Sequence, residues 1–291
     1  MSAVPTSVKE LVEILDLEPL EVDLYRGAQP PVSTLQRVFG GQVAAQALMA
    51  ACRSTDAQRR VHSLHAYFLR GGDTSVPIVY DVERIRDGSS FSTRRVSARQ
   101  HGQIIFYLTA SFQRQEDGFD HQDDMPDVPP PEQCPDLAEI LQHVSSRAAD
   151  SWRQEWSALE VRYAGDTRPG GDLTPDGSPA RQRLWFRVNG TLPDDPALDA
   201  CVLTYASDLT LLGSALIPHG LLIGQRGLQA ASLDHAVWFH RPARAGHWLL
   251  YDQVSPSAVN SRGFAQARIF GVDGTLHASV AQEGLLRRTR G

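Results

Sequence analysis

From Ala197 to Gly213 the apolar residues Leu198, Cys201, Val202, Tyr205, Ala206, Leu209 and Leu212 recur at i, i+3, i+4 spacing, the period of an α-helix. Ala200, Leu203 and Leu211 widen the stripe until little of the circumference is left for water. Such a helix must be wrapped by other structure, so the rest of the chain has to supply a wrapper. Asp208 lies inside this run. A carboxylate among apolar neighbours is costly unless something hydrogen-bonds it, and desolvation disturbs its proton affinity. At this point two readings stand: a functional carboxylate, or one at the helix edge paired with solvent or with Thr204 one turn back.

The wrapper is legible on both sides of that helix. Leu11 to Leu15 reads as a short helix, and Leu20 to Tyr25 alternates like a strand before the Gln29-Pro30-Pro31 loop. Gly40-Gly41 open a second helix running from Gln42 to Cys52. Helix N-termini expose unpaired N–H groups, and glycines there let a ligand oxygen approach, although the same pair also serves tight helix packing. Aromatic and β-branched strands follow at His62 to Leu69, Ile78 to Arg84, Phe91 to Gln100 and Gln103 to Phe112. Turn signals at Gly71-Gly72-Asp73, Asp87-Gly88 and His101-Gly102 separate them into an antiparallel meander. Arg114 to Asp136 is acidic and Pro-rich and reads as a linker, followed by a helix from about Leu137 to Trp156 and a Gly/Pro loop at Thr167 to Ala180. Then the order repeats: strand Leu184 to Asn189, the core helix, and strands Ala231 to His240, Trp248 to Val254, Gly263 to Phe270 and Thr275 to Gln282.

The repeat also shows in letters. Leu20-Glu21-Val22 recurs as Leu159-Glu160-Val161, and Arg70 with Tyr80-Asp81 recurs as Arg241 with Tyr251-Asp252. Matched motifs in the same element order point to one duplicated α+β unit. We therefore expect an N-terminal unit over 1–115, a linker with a helix and the Gly/Pro loop over 116–180, and a C-terminal unit over 181–291.

A length of 291 residues suits two such units, and a net charge of −6 gives no general footprint for nucleic acid or anionic membrane. Cys52, Cys134 and Cys201 form no CxxC pair and leave one over, which fits a reducing compartment better than a disulfide framework. The N-terminus lacks a signal-peptide pattern, and no uninterrupted apolar stretch approaches the roughly 20 residues that span a bilayer. The expectation is a cytoplasmic protein without membrane insertion. His62 and His65, and His235 and His240, sit on strands at spacings that do not put both rings on one face, so no metal pair is expected. The G-x-S-x-G elbow of α/β-hydrolases is absent.

The chain resembles the acyl-CoA thioesterase II family of double hotdog proteins. The likeness runs through Arg37-Val38-Phe39-Gly40-Gly41-Gln42, His65 to Asp73 and Arg86 to Val96. In the second half it runs through Tyr205-Ala206-Ser207-Asp208, Asp234 to Pro242, Ser261-Arg262-Gly263-Phe264 and Gln282-Glu283-Gly284. Only about Asp117 to Ala180 is weakly covered.

The resemblance implies an α+β double hotdog, two tandem units each with an antiparallel sheet wrapped around a long helix, and hydrolysis of acyl-CoA by a water held by an Asp, a hydroxyl and a Gln. Those roles fall on Asp208, Ser232 and Gln282. Ser232 stands where members commonly have Thr, which keeps the hydroxyl but loses the methyl that stiffens the rotamer. The chemistry agrees: a desolvated carboxylate is a better base than one in bulk water, and a hydroxyl and an amide can hold the same water for attack. Gly40 and Gly41 become candidate donors to the oxyanion. No cofactor and no metal is implied. The implied partner is an acyl-CoA substrate, with a homo-oligomer as the expected assembly. Arg86, Arg94, Arg95 and Arg262 lie beside turns where a CoA phosphate could dock, or are simply solvated. An enoyl-CoA hydratase and a non-catalytic acyl-CoA binding module on the same fold are the competing functions, since fold alone does not choose.

Overall fold

The structure is a computed structural model describing residues 5–29, 35–168, 171–173 and 180–289. Pro30-Pro31 and most of the Gly/Pro loop lie outside the described residues. The N-terminal unit comprises α1 (Val8–Leu15), β1 (Glu18–Glu21), β2 (Leu24–Gly27), α2 (Gly40–Arg53), β3 (Arg59–Phe68), β4 (Ile78–Asp87), β5 (Phe91–Gln100) and β6 (Gln103–Arg114). After α3 (Leu137–Val144) and α4 (Ser146–Glu155), the C-terminal unit holds β7 (Leu159–Asp166), β8 (Ala180–Val188) and α5 (Pro196–Ser207), followed by a 3-10 helix at Leu211–His219. It finishes with β9 (Leu228–Ser232), β10 (Asp234–Phe239), β11 (Leu249–Val259), β12 (Arg262–Gly271) and β13 (Leu276–Arg288).

Local chemistry explains several boundaries. The expected strand from Leu20 to Tyr25 is instead a hairpin, because Asp23 takes φ 59° and turns β1 back as β2. The expected helix Leu137 to Trp156 breaks at Ser145, whose extended backbone ends α3 and whose Oγ accepts from Ala148 N–H to cap α4. Two hairpins turn on pairs with positive φ, His101-Gly102 between β5 and β6 and Asn260-Ser261 between β11 and β12. The core helix is shorter than its periodicity implies. Asp195 caps it by accepting from Ala197 N–H at 2.8 Å, Pro196 opens it, and it ends at Ser207.

Among the described residues twelve strands follow one path in the order β1-β2-β4-β5-β6-β3-β10-β13-β12-β11-β8-β7, and β9 pairs with β13 off this path. The order reads the same from either end under exchange of units, so a pseudo-dyad passes between β3 and β10, which pair antiparallel with Ala236 opposite His65. α2 and α5 pack together on the inner face. Alanines 44, 45, 47, 50 and 51 are buried on α2, and their small side chains permit that close approach. Gln46, fully buried beside them, is satisfied by Ile14 O, Ala28 O and the Tyr80 hydroxyl. Pro196–His219 is long and apolar enough by composition to cross a membrane, and 78 % of its apolar window is buried within this chain.

One of the two letter echoes is structural. Arg70 follows β3 and donates Nη1 to Ile104 O, while Arg241 follows β10 and donates Nη1 to Leu276 O, at equivalent places across the pseudo-dyad. Tyr80 and Tyr251 likewise pair with β2 and β8 at Tyr25 and Leu184. The Leu-Glu-Val echo is not: Pro19 faces Tyr25 and Tyr163 faces Leu184, so Leu20 and Leu159 lie several residues out of register. β7 falls within the segment expected to be linker, yet it is an edge strand of the C-terminal sheet. The acidic stretch before α3 has little regular structure and is mostly exposed, but side-chain contacts tie it to the C-terminal sheet. Asp120 pairs with Arg241, Asp123 with Arg268 at 2.9 Å, and Trp185 donates its indole N–H to Pro129 O.

Candidate active site

Where α5 ends, Asp208 takes the C-cap position and the chain turns toward the 3-10 helix. The side chain therefore projects from the end of the helix rather than from its interior. It lies beside the last residue of β9 and the middle of β13, and it meets the N-terminus of α2 from the other unit. Ser232 donates Oγ–H to Asp208 Oδ1 at 3.2 Å. Gln282 donates Nε2–H to the same oxygen and a second N–H to Ser232 Oγ at 3.1 Å. Gly41 donates its backbone N–H to the same carboxylate, and a Cβ on Gly40 would stand 2.7 Å from Asp208 Oδ2. The five residues expected at the site from sequence are thus brought to one place.

Burial pushes the Asp208 carboxyl up, and the hydrogen bonds from Gln282, Ser232 and Gly41 pull it part of the way back, leaving it at about 6. The result is a base that is ionised at neutral pH yet stronger than an ordinary carboxylate. Gln282 Oε1 is buried and accepts no hydrogen bond within the described residues.

A supporting layer that the sequence did not single out stands behind Asp208. His235 is fully buried, and its Nε2 lies 2.8 Å from the Oγ of Ser207, the residue before Asp208. Ser207 gives its hydroxyl hydrogen to Thr204 O, which makes His235 the donor. Burial drives the imidazole down to about 4, so it is neutral at pH 7. The Tyr251 hydroxyl donates to Ser207 O at 2.7 Å. Together these groups fix the end of α5, and the signal that could have revealed them was a polar Ser-Asp pair closing an apolar run.

The pseudo-dyad calls for a second constellation, and the chain does not repeat it. Ser54 caps α2 where Asp208 caps α5, Ala110 takes the place of Gln282, and Val61 that of Ser232. The space is filled by Arg94, only 1 % exposed, which donates to Ser54 O and Oγ and to Asp87. Arg94 is therefore a core residue and not a surface docking group. Arg95 pairs with Glu83 and Arg262 with Glu283. His62 and His240 each meet a serine on the neighbouring strand, Ser111 and Ser279, and His65 packs edge-on against Trp238. Among the described residues no three His, Cys, Asp or Glu side chains gather as a metal site.

The family described as acyl-CoA thioesterase matches residues 155–285, and the acyl-CoA thioesterase N-terminal domain matches residues 28–113. The chain is 41 % identical to acyl-CoA thioesterase 2 of Haemophilus influenzae over 285 residues, covering 96 % of this chain and 98 % of that one. It is 42 % identical to acyl-coenzyme A thioesterase 8 of Homo sapiens over 284 residues, covering 94 % and 88 %. Among solved structures, the acyl-CoA thioesterase II TesB2 of Mycobacterium marinum superposes with a TM-score of 0.81 at 47 % identity, covering 97 % of this chain and 99 % of that one. A hot dog fold protein of Alicyclobacillus acidocaldarius, at 19 % identity and TM-score 0.78, shares the fold. Duplicated units, a helix in each sheet and near full-length likeness lead to one assignment: the chain belongs to the acyl-CoA thioesterase II family of double hotdog thioester hydrolases.

Proposed function

We propose that the chain hydrolyses acyl-CoA thioesters by direct attack of a water that Asp208 deprotonates and that Asp208, Ser232 and Gln282 hold in place. The observation that carries this reading is a buried carboxylate near pKa 6 with a hydroxyl and an amide fixed on one of its oxygens. Gln282 Oε1 and the Asp208 carboxylate are both acceptors, suited to the two hydrogens of a single water. As Asp208 takes the proton, the water oxygen bonds to the thioester carbon and the carbonyl oxygen becomes an oxyanion. The amide of Gly40 has no partner among the described residues and sits at the positive end of α2, which suits it to receive that charge. Collapse expels the CoA thiolate, a good leaving group because thiols ionise near pH 8.5, and the proton held by Asp208 balances it. The relatives named as acyl-CoA thioesterases support the substrate class.

Ser232 as a nucleophile is the less favoured chemistry. Its hydrogen-bonded base would be Asp208 alone, and His235 is engaged with Ser207. Thiol release over a panel of acyl-CoAs, run beside the absorbance change of crotonyl-CoA, tests the function. Thiol release is expected; hydration of crotonyl-CoA without thiol release would replace it with a hydratase, and binding without either would leave a binding module.

A further inference from the structure

Resting on the water-attack reading above, we propose that His235 and Gln253 are positioning residues for the hydrolysis, pinning the chain on either side of Asp208 so that its carboxylate meets Ser232 and Gln282. Between the end of α5 at Ser207 and the start of the 3-10 helix at Leu211 lies a joint of three residues, Asp208, Leu209 and Thr210. Such a junction is held less firmly than a helix interior, because the last carbonyls of the first helix lose their intrahelical partners. The sheet holds both ends of it. Before the joint, His235 on β10 donates Nε2–H to Ser207 Oγ at 2.8 Å, and Tyr251 on β11 donates its hydroxyl to Ser207 O at 2.7 Å. At the far end Gln253, two residues along β11 on the same face, donates Nε2–H to Thr210 Oγ1 at 2.8 Å. The carboxylate takes its own hydrogen bonds from Ser232, Gln282 and Gly41, so His235 and Gln253 act on it through the backbone.

The N-terminal unit shows that the fold itself does not require these polar groups. The strand register that matches Tyr80 with Tyr251 and Arg70 with Arg241 also matches Leu64 with His235 and Val82 with Gln253. All four of the latter side chains are buried. The unit whose helix ends in Ser54 therefore has apolar side chains at both places, and the polar pair occurs in the unit whose helix ends in Asp208. That pair is costly. Among the described residues His235 Nδ1 and Gln253 Oε1 are buried without a hydrogen-bond partner, a desolvation penalty that a leucine and a valine would spare. What the penalty is set against is geometry. Ser232 and Gln282 stand on strands and reach one oxygen of Asp208, Ser232 at 3.2 Å, so a joint free to shift would break the constellation. A misplacement of about 1 Å in a reacting group costs on the order of 10²-fold in rate.

The test installs the residues of the N-terminal unit. His235→Leu and Gln253→Val change side-chain volume little, so both variants are expected to fold, with circular dichroism as the check. Each is expected to lower kcat for acyl-CoA about tenfold and to leave KM within about twofold, because the base is misplaced while the substrate's contacts stay. The acidic limb of the kcat/KM profile is expected to move to higher pH, since the hydrogen bonds that hold the Asp208 carboxyl down are loosened while its burial persists. His235→Gln, which sets an amide N–H near the place of Nε2, is expected to recover most of the lost rate. A melting temperature that falls while kcat and the acidic limb stay at wild-type values would make both residues ordinary core groups and overturn the proposal. So would a His235→Gln variant as slow as His235→Leu. If His235→Leu does not fold, Gln253→Val and His235→Gln carry the same test. Asp208→Asn is the control: full turnover there would sink the water-attack reading itself, and this inference with it.

Discussion

Gly41, in the first turn of α2, donates its backbone N–H to the carboxylate of Asp208 at the end of α5, so the buried carboxylate of one unit is held by the helix N-terminus of the other. A helix N-terminus carries a partial positive charge and favours an anion beside it. Burial works in the opposite direction, and the balance sets the proton affinity of Asp208. With that group at about 6, kcat/KM for acyl-CoA should be flat at neutral pH and fall tenfold per pH unit well below pH 6. A pH–rate profile checks this; an acidic limb near pH 4 would mean that an ordinary carboxylate, not Asp208, is the base.

The same shift has a cost in stability. A carboxyl raised from 3.8 to about 6 binds its proton more tightly in the folded chain than in the unfolded one. Stability is therefore lost as pH rises from about 4 to 6 and stays lower above that, by up to about 3 kcal/mol. Asp208→Asn should accordingly be more stable than wild type at pH 7.5, with the gap closing near pH 4. Denaturant titrations at the two pH values check it, and equal stability at both would remove the buried charge from the account.

Gly40→Ala should lower kcat at least tenfold. The added Cβ would lie 2.7 Å from Asp208 Oδ2 and crowd the carboxylate directly. At Gly41 the clash is with Tyr205 O, which is backbone and cannot rotate away, so Gly41→Ala should mainly lower the melting temperature. Activity and thermal unfolding of the two variants separate the effects.

Much of this was readable in the letters, and the misreadings share a physical cause. The two helices and the meanders follow from periodicity, whereas the trio of Asp208, Ser232 and Gln282 was singled out by the family resemblance. The break of the core helix did not, because Leu209, Leu211 and Leu212 continue the apolar period while a 3-10 helix replaces the α-helix. β7 was hidden because its partner β8 lies across a Gly/Pro loop, so no local hairpin signal marks it. The capping of Asp208 by Gly41 joins residues far apart in sequence and in different units, a contact that propensity cannot see. His235 was read as one of a strand pair with His240, but its fixed place under Ser207 is set by tertiary packing.

Ser232→Thr should remain active, since threonine keeps the donor to Asp208 and the acceptor for Gln282. Ser232→Ala should lose several-fold in rate, the worth of one net hydrogen bond of about 1 kcal/mol. Rapid-quench mass spectrometry with excess acyl-CoA should find no acyl adduct on Ser232. An adduct that forms and decays at the turnover rate would make the serine the nucleophile.

The most direct test of the account is thiol release by Asp208→Asn with its folded state verified by circular dichroism. Asparagine keeps the shape of the side chain and removes the base, and loss of one general base costs about 10²–10⁴-fold in rate. A folded variant slowed by that factor is the result the account predicts. Turnover within a few-fold of wild type would contradict it and leave Asp208 as a structural carboxylate.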